Sequence, residues 1–156
     1  MASRRPDIEM NRDEIREYLD THRILILTSN GPDGYPHPMP MYFWVDDELD
    51  FYVATFRKTQ KVKNLQRDPK ATLLVESGNV YHKLKSVLAY AKAEIIDDLD
   101  YTLKMMDIIT DKDVRLGFPI ILEGDMKLKS AKERVIVRFT PEKFISWDHG
   151  KLGGKY

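Results

Sequence analysis

The chain has 156 residues, enough for one domain with its own core, and 25 Lys plus Arg balance 25 Asp plus Glu. That neutrality removes any overall electrostatic case for nucleic acid or a membrane surface, so a charge-based function must rest on local clustering. The absence of cysteine excludes disulfides, thiolate metal sites and cysteine nucleophiles, and it suits a reducing cytoplasm.

The opening stretch "MASRRPDIEMNRDEIREYL" lacks the apolar core of a signal peptide, and no window reaches the length of a transmembrane helix. A cytoplasmic chain forming one domain over residues 1–156 is expected. Asn11 followed by "RDEIREYLD" reads as a capped amphipathic helix with Ile15 and Leu19 on one face. "RILILTS" (23–29) carries four consecutive apolar residues, the pattern of a strand buried on both faces. "NGPDG" (30–34) and "DDE" (46–48) are turns around a strand at about 36–45, with "LDFYVAT" (49–55) next. Three strands joined by two short turns predict an antiparallel meander. Thr59 is a candidate N-cap for a short helix, "QKVKNLQRD", that stops before Pro69 and turns Val62 and Leu65 to the core.

Beyond it, "KATLLVES" and "LKSVLAYAKAEII" (84–96) read as strands, and Val87, Ala89, Ala91 and Ala93 form a small-residue face of the second. Such a face suits a barrel seam or a subunit contact. Leu99, Leu103 and Met106 recur at helical spacing in 98–110, and "RVIVRF" (134–139) is the last clear strand. Six strands, three helices and mostly hairpin connections predict a mainly β (α+β) fold: a small antiparallel β-barrel with flanking helices.

No catalytic motif stands out. His22, His37, His82 and His149 lack metal-ligand spacing, so no metal is expected, and no nucleophile elbow or phosphate-binding glycine loop is present. Asp46 with Asp47, and Asp97 with Asp98, fall at turns and read as solvated breakers. The chemistry is therefore expected to belong to a bound cofactor.

Three stretches remain as candidate sites. After Ala54 and Thr55 the chain gathers Arg57, Lys58, Lys61, Lys63 and Arg67 around the start of a helix, where free amides and the dipole favour an anion. An ordinary solvated basic face is the alternative. "PHPMPMYFW" places three prolines among bulky apolar side chains, which suits a strand edge against a flat ligand or a partner subunit, or a proline-blunted edge. "FISWDHGKLGGKY" offers Trp147 on a tail that either reaches across to another subunit or simply packs.

Together these stretches resemble the pyridoxamine 5′-phosphate oxidase-like split-barrel superfamily that binds flavins and deazaflavins. The likeness runs through "ILILTSNGPDGYPHPMPMYFWVDDELDFYVAT", "TQKVKNLQRDPKATLLVE" and "SWDHGKLGG", and the ending favours the branch that uses coenzyme F420. The segment from about 97 to 133 adds nothing to it.

The resemblance implies a six-stranded antiparallel split β-barrel that forms a homodimer with cofactor sites between subunits. By that likeness Met39, Pro40 and Met41 lie along the ring, and Ala54 and Thr55 line the ribityl chain and phosphate. Lys61, with Arg57 and Gln60 beside it and Lys58 in the same basic corner, binds the phosphate. Trp147 approaches the ring from the partner.

Gln60 stands where the oxidase itself carries arginine, which argues against true pyridoxamine-phosphate oxidase activity. "YHKLKSV" also departs from the acid, basic residue and glycine common in this branch. The implied activity is hydride transfer between F420 and a small conjugated or aromatic acceptor. The alternatives are an FMN-dependent reductase or oxidase of the same fold and a non-catalytic cofactor-binding protein. An RNA-binding small barrel is disfavoured by the net neutrality.

Overall fold

In the computed structural model, which describes residues 5–120 and 122–154, a single turn α1 (Arg5–Ile8) leads to Asn11. Asn11 Oδ1 accepts from the Glu14 amide, and Glu14 Oε2 accepts from the Asn11 amide. This capping box satisfies two otherwise orphaned donors, and α2 (Arg12–Asp20) follows with Ile15, Tyr18 and Leu19 buried.

The strands are β1 (Ile24–Asn30), β2 (Pro36–Tyr42), β3 (Trp44–Val45), β4 (Phe51–Phe56), β5 (Lys70–Ser77), β6 (Lys85–Ile96) and β7 (Arg134–Asp148). Between them lie α3 (Gln60–Arg67), α4 (Leu99–Arg115) and α5 (Gly124–Lys132). All neighbouring strands pair antiparallel in the order β2-β1-β5-β6-β7-β4-β3, and the sheet curls into a split barrel. In β7, Glu142 is an extra residue where the β6 register jumps from Lys143 to Pro141. A bulge of this kind bends its strand and sharpens the local twist, which helps the sheet close.

Several expectations need correction. The strand over 36–45 breaks at Phe43, which is 1% exposed, so the barrel has seven strands rather than six. The expected meander does not form: β1–β2 and β3–β4 are hairpins at opposite ends of the sheet. Phe43 carries the chain across the gap between the two sheet edges, because its ring gains more in the core than an unbroken ladder would return.

β1 is buried on one face only, with Leu25, Leu27 and Ser29 inward and Ile24 48% exposed. The helix over 98–110 continues to Arg115 and buries Thr102, Met105, Met106, Ile109 and Lys112, while Leu99 points outward. Helix α5 was not legible in advance. The small-residue face of β6 lines the barrel interior, where Val87, Ala89 and Ala91 meet Val75, Leu73 and Ala71, rather than a subunit contact.

The last strand runs on to Asp148, so Trp147 pairs with Ser86 inside the sheet. The following residues are not a free arm: Lys151 Nζ donates to Glu14 Oε2 and to the Glu9 carbonyl, both at 2.7 Å. The final two residues of the proposed tail, and the first four of the chain, lie outside the described residues.

Two apolar clusters hold the fold. The barrel interior packs Leu25, Leu27, Phe51, Val53 and Phe139, and the second cluster seats α4 on the outer side of β4 and β7 through Met105, Tyr52 and Ile136. No described helix is long and apolar enough to cross a membrane.

Candidate functional site

The proline pattern of β2 settles how that strand presents its backbone. Pro36, Pro38 and Pro40 lie opposite Asn30, Thr28 and Ile26. A proline has no N–H to give to a ladder, so these are the non-hydrogen-bonded pairs, and His37, Met39 and Met41 carry the bonds to β1. The free edge of β2 therefore offers the three proline carbonyls and no N–H from residue 36 to residue 40. Side chains alternate across it: Met39 and Met41 lie half-buried on the core side, and Pro40 is exposed on the other. The three residues share an edge but not a face.

Alternation likewise separates Ala54 from Thr55. Thr55 points into the barrel and is 2% exposed, whereas Ala54 faces outward beneath α4 and lines a cavity there. At the end of β4 the chain turns into α3. Thr59 takes the extended N-cap conformation, but its hydroxyl donates to the Phe56 carbonyl at 3.0 Å and caps nothing. The first turn of α3 holds no acid, so its free amides and positive dipole end have no compensating anion.

Lys61 sits in that first turn and is only 7% exposed, yet it forms no hydrogen bond or ion pair with the described residues. Burial, and then the nearby Arg134 cation, hold its ammonium below the usual lysine pKa. Arg134 opens β7 beside Phe56; its guanidinium lies 3.9 Å from that ring, and its Nε donates to Ser130 Oγ at 2.9 Å. Burial lowers the Arg134 pKa as well. Two partly desolvated cations beside a helix start make a site that favours an anion, although Glu133 offsets part of the Arg134 charge. The donor set fits a phosphate group.

The other members of the basic corner are placed differently. Arg57 is committed to an ion pair with Asp97 at 2.6 Å and donates to the carbonyls of Lys132 and Arg134. It clips the end of β4 to the start of β7. Gln60 donates to Asn64 Oδ1, and the buried Asn64 donates to Ser29 Oγ, which ties α3 to β1. Lys58 is exposed at the corner. Of the four acids read as solvated breakers, Asp97 holds Arg57, Asp98 caps α4, and Asp46 accepts the Tyr52 hydroxyl at 2.8 Å. Asp47 is exposed, though it pairs with Arg16 at 3.2 Å.

Trp147 lies at the opposite end of the 15-residue strand β7 from Arg134. One protomer cannot bring both to a single ring. The residues that sequence reasoning missed are Arg134 and Arg23, together with those of α4 and α5 that line the cavity over Ala54; Tyr42 fell within the proline-rich candidate stretch. Arg134 carried one usable signal, a basic residue at the head of an apolar strand.

Comparison with known proteins adds the following. The family model described as pyridoxamine 5′-phosphate oxidase matches residues 12–148. The conserved hypothetical protein Rv2991 of Mycobacterium tuberculosis is 31% identical with a TM-score of 0.85, over 99% of this chain and 95% of that one. A protein described as an F420 reductase is 22% identical with a TM-score of 0.66, over 83% and 94% of the two chains. A FAD-binding protein of Mesorhizobium loti is 18% identical with a TM-score of 0.62, over 88% and 91%. A search of curated proteins finds no match.

Proposed function

Because the chain belongs to the pyridoxamine 5′-phosphate oxidase family, we propose that it is an oxidoreductase that binds the phosphate of a flavin-type cofactor at Lys61 and Arg134, with coenzyme F420 as that cofactor. The observation that carries this reading is Lys61, a largely buried side chain whose ammonium has no hydrogen bond or ion pair among the described residues, at an uncapped helix start. Desolvating an ammonium is costly, and a bound phosphate is the natural compensation. The β2 edge, with Met39, Pro40 and Met41, offers carbonyl acceptors to a planar ring that carries N–H groups along one side. Thr55 and Gln60 sit nearer the helix start, and Lys58 can add charge from solvent. A deazaflavin or flavin ring supplies two-electron hydride transfer when bound. The chain's own residues hold its phosphate, orient it against β2 and exclude water from one side.

The working form in this reading is a homodimer. Ile26, Leu74, Leu88 and Ile145 stand in register across four strands on the outer face, with Ile24, Tyr42 and Tyr90 exposed around them. A patch of this kind on a sheet face suits a second copy of the chain. It also offers a route for Trp147 to a site that its own protomer cannot reach.

Titration of the purified protein with F420 by fluorescence and with FMN by absorbance tests the proposal. Saturable binding of F420, with turnover of a conjugated or aromatic acceptor, supports it. Tight FMN binding alone selects the FMN-dependent alternative. Binding without turnover of any acceptor selects a carrier, and failure of both ligands removes the cofactor reading.

A further inference from the structure

Helices α4 and α5, with Pro119 and Leu122, line a cavity of about 240 Å³ over the outer side of β4, and Arg23 organises it. The guanidinium carbon of Arg23 lies 4.3 Å from the centre of the Tyr42 ring and 4.0 Å from that of Phe118. Its Nε is 2.9 Å from Asp113 Oδ1, close enough for an ion pair though not aligned for a hydrogen bond. Nη1 and Nη2 make no hydrogen bond to the described residues. A guanidinium held between two aromatic faces has already lost most of its freedom, so little more is lost when it grips a ligand.

The free donors and the lining of the cavity indicate what that ligand is. Asp113 offsets Arg23, and Asp107 offsets Lys127 through an ion pair. Arg134, on the same wall as Ala54, forms no ion pair with the described residues, and the neighbouring Glu133 offsets part of its charge. The rest of the space is lined by Met106, Ile109, Pro119 and Leu122. A planar fork with free donors opening on an apolar lining matches a small carboxylate with a hydrocarbon body.

We propose that this cavity binds a small apolar monocarboxylate, with the carboxylate on the Arg23 fork and the hydrocarbon against Met106, Ile109 and Leu122. Regarding that ligand as the acceptor of the redox reaction rests on the reading above; the binding itself does not.

The test is calorimetric titration of the protein with sodium benzoate and with its uncharged analogue benzamide. One equivalent of benzoate is expected to bind at least about tenfold more tightly than benzamide, and Arg23→Gln is expected to remove that margin. Leu122→Trp, which fills the cavity and leaves Arg23 in place, is expected to abolish benzoate binding; it decides the matter if Arg23→Gln fails to fold. Equal affinity for the two probes, no saturable benzoate binding, or undiminished binding in both folded variants overturns the proposal. Parallel F420 and FMN titrations keep the two ideas apart. Benzoate binding without cofactor binding removes the redox reading and leaves this site, and the reverse result removes this site alone.

Discussion

Lys61 and Lys112 are both buried cations, and their surroundings give them opposite tasks. Lys112 donates from Nζ to the carbonyls of Leu19 and Phe43 at 3.0 and 3.2 Å, so its hydrogen bonds are complete within the fold. Lys61 has none with the described residues, which leaves it available to a ligand. Lys61→Ala is expected to weaken cofactor binding by about ten- to a hundredfold, the size of one charge-assisted phosphate contact, as read by fluorescence or absorbance titration. Since burying the uncompensated charge costs stability, the same variant is expected to melt no lower than wild type without cofactor. An unchanged dissociation constant at low salt would remove Lys61 from the site.

Burial pushes the Lys112 pKa down to about 8, with Asp20, Arg115 and Asp113 as its charged neighbours. A neutral amine still donates both bonds, so the fold prefers the deprotonated form. Below pH 8 both folded and unfolded states are protonated and the cost is fully present. Above it the unfolded chain binds more protons, so stability rises with pH until the unfolded lysine titrates near 10.5. Lys112→Met is expected to remove a rise of roughly 3 kcal/mol across that window in chemical denaturation.

Among the elements, the contrast between α2 and α3 is the informative one. Helix α2 begins with a complete capping box, and Asn11→Ala is expected to cost about 1 kcal/mol in denaturation without touching cofactor affinity. Helix α3 begins with no cap, no acid and Lys61. A helix start that its own chain leaves uncompensated is more easily explained by a ligand than by stability. In β2 the prolines act at the level of the whole strand: they keep the edge from recruiting another strand while leaving its carbonyls open.

For the molecule as a whole, the prediction concerns association. Leu88 is half-buried in the middle of the outer row, between Leu74 and Ile145. Leu88→Glu places a charge in a face proposed to meet its own copy, and it is expected to halve the mass in light scattering. If the cofactor site is shared between protomers, cofactor affinity is lost in the same variant. A monomeric Leu88→Glu protein that binds cofactor as wild type does would show the site to be complete within one chain.

Much of the architecture was legible in local patterning. The Asn11 cap, the stop before Pro69 and the runs that became β1, β4, β5 and β6 are each specified by neighbours a few residues away. The basic corner and the proline edge could be put forward as candidates because their chemistry is written in consecutive residues. What local pattern could not carry was the meeting of distant segments. Whether Phe43 would continue a strand or turn into the core depended on where two sheet edges met. Likewise, Arg57 and Lys61 are near neighbours in the chain, but Asp97 claims one and no described residue claims the other. Arg23, Tyr42 and Phe118 became one cluster only when α4 and the segment after it folded across β4. Burial and charge pairing are properties of three-dimensional neighbourhoods, and those exist only after the barrel has closed.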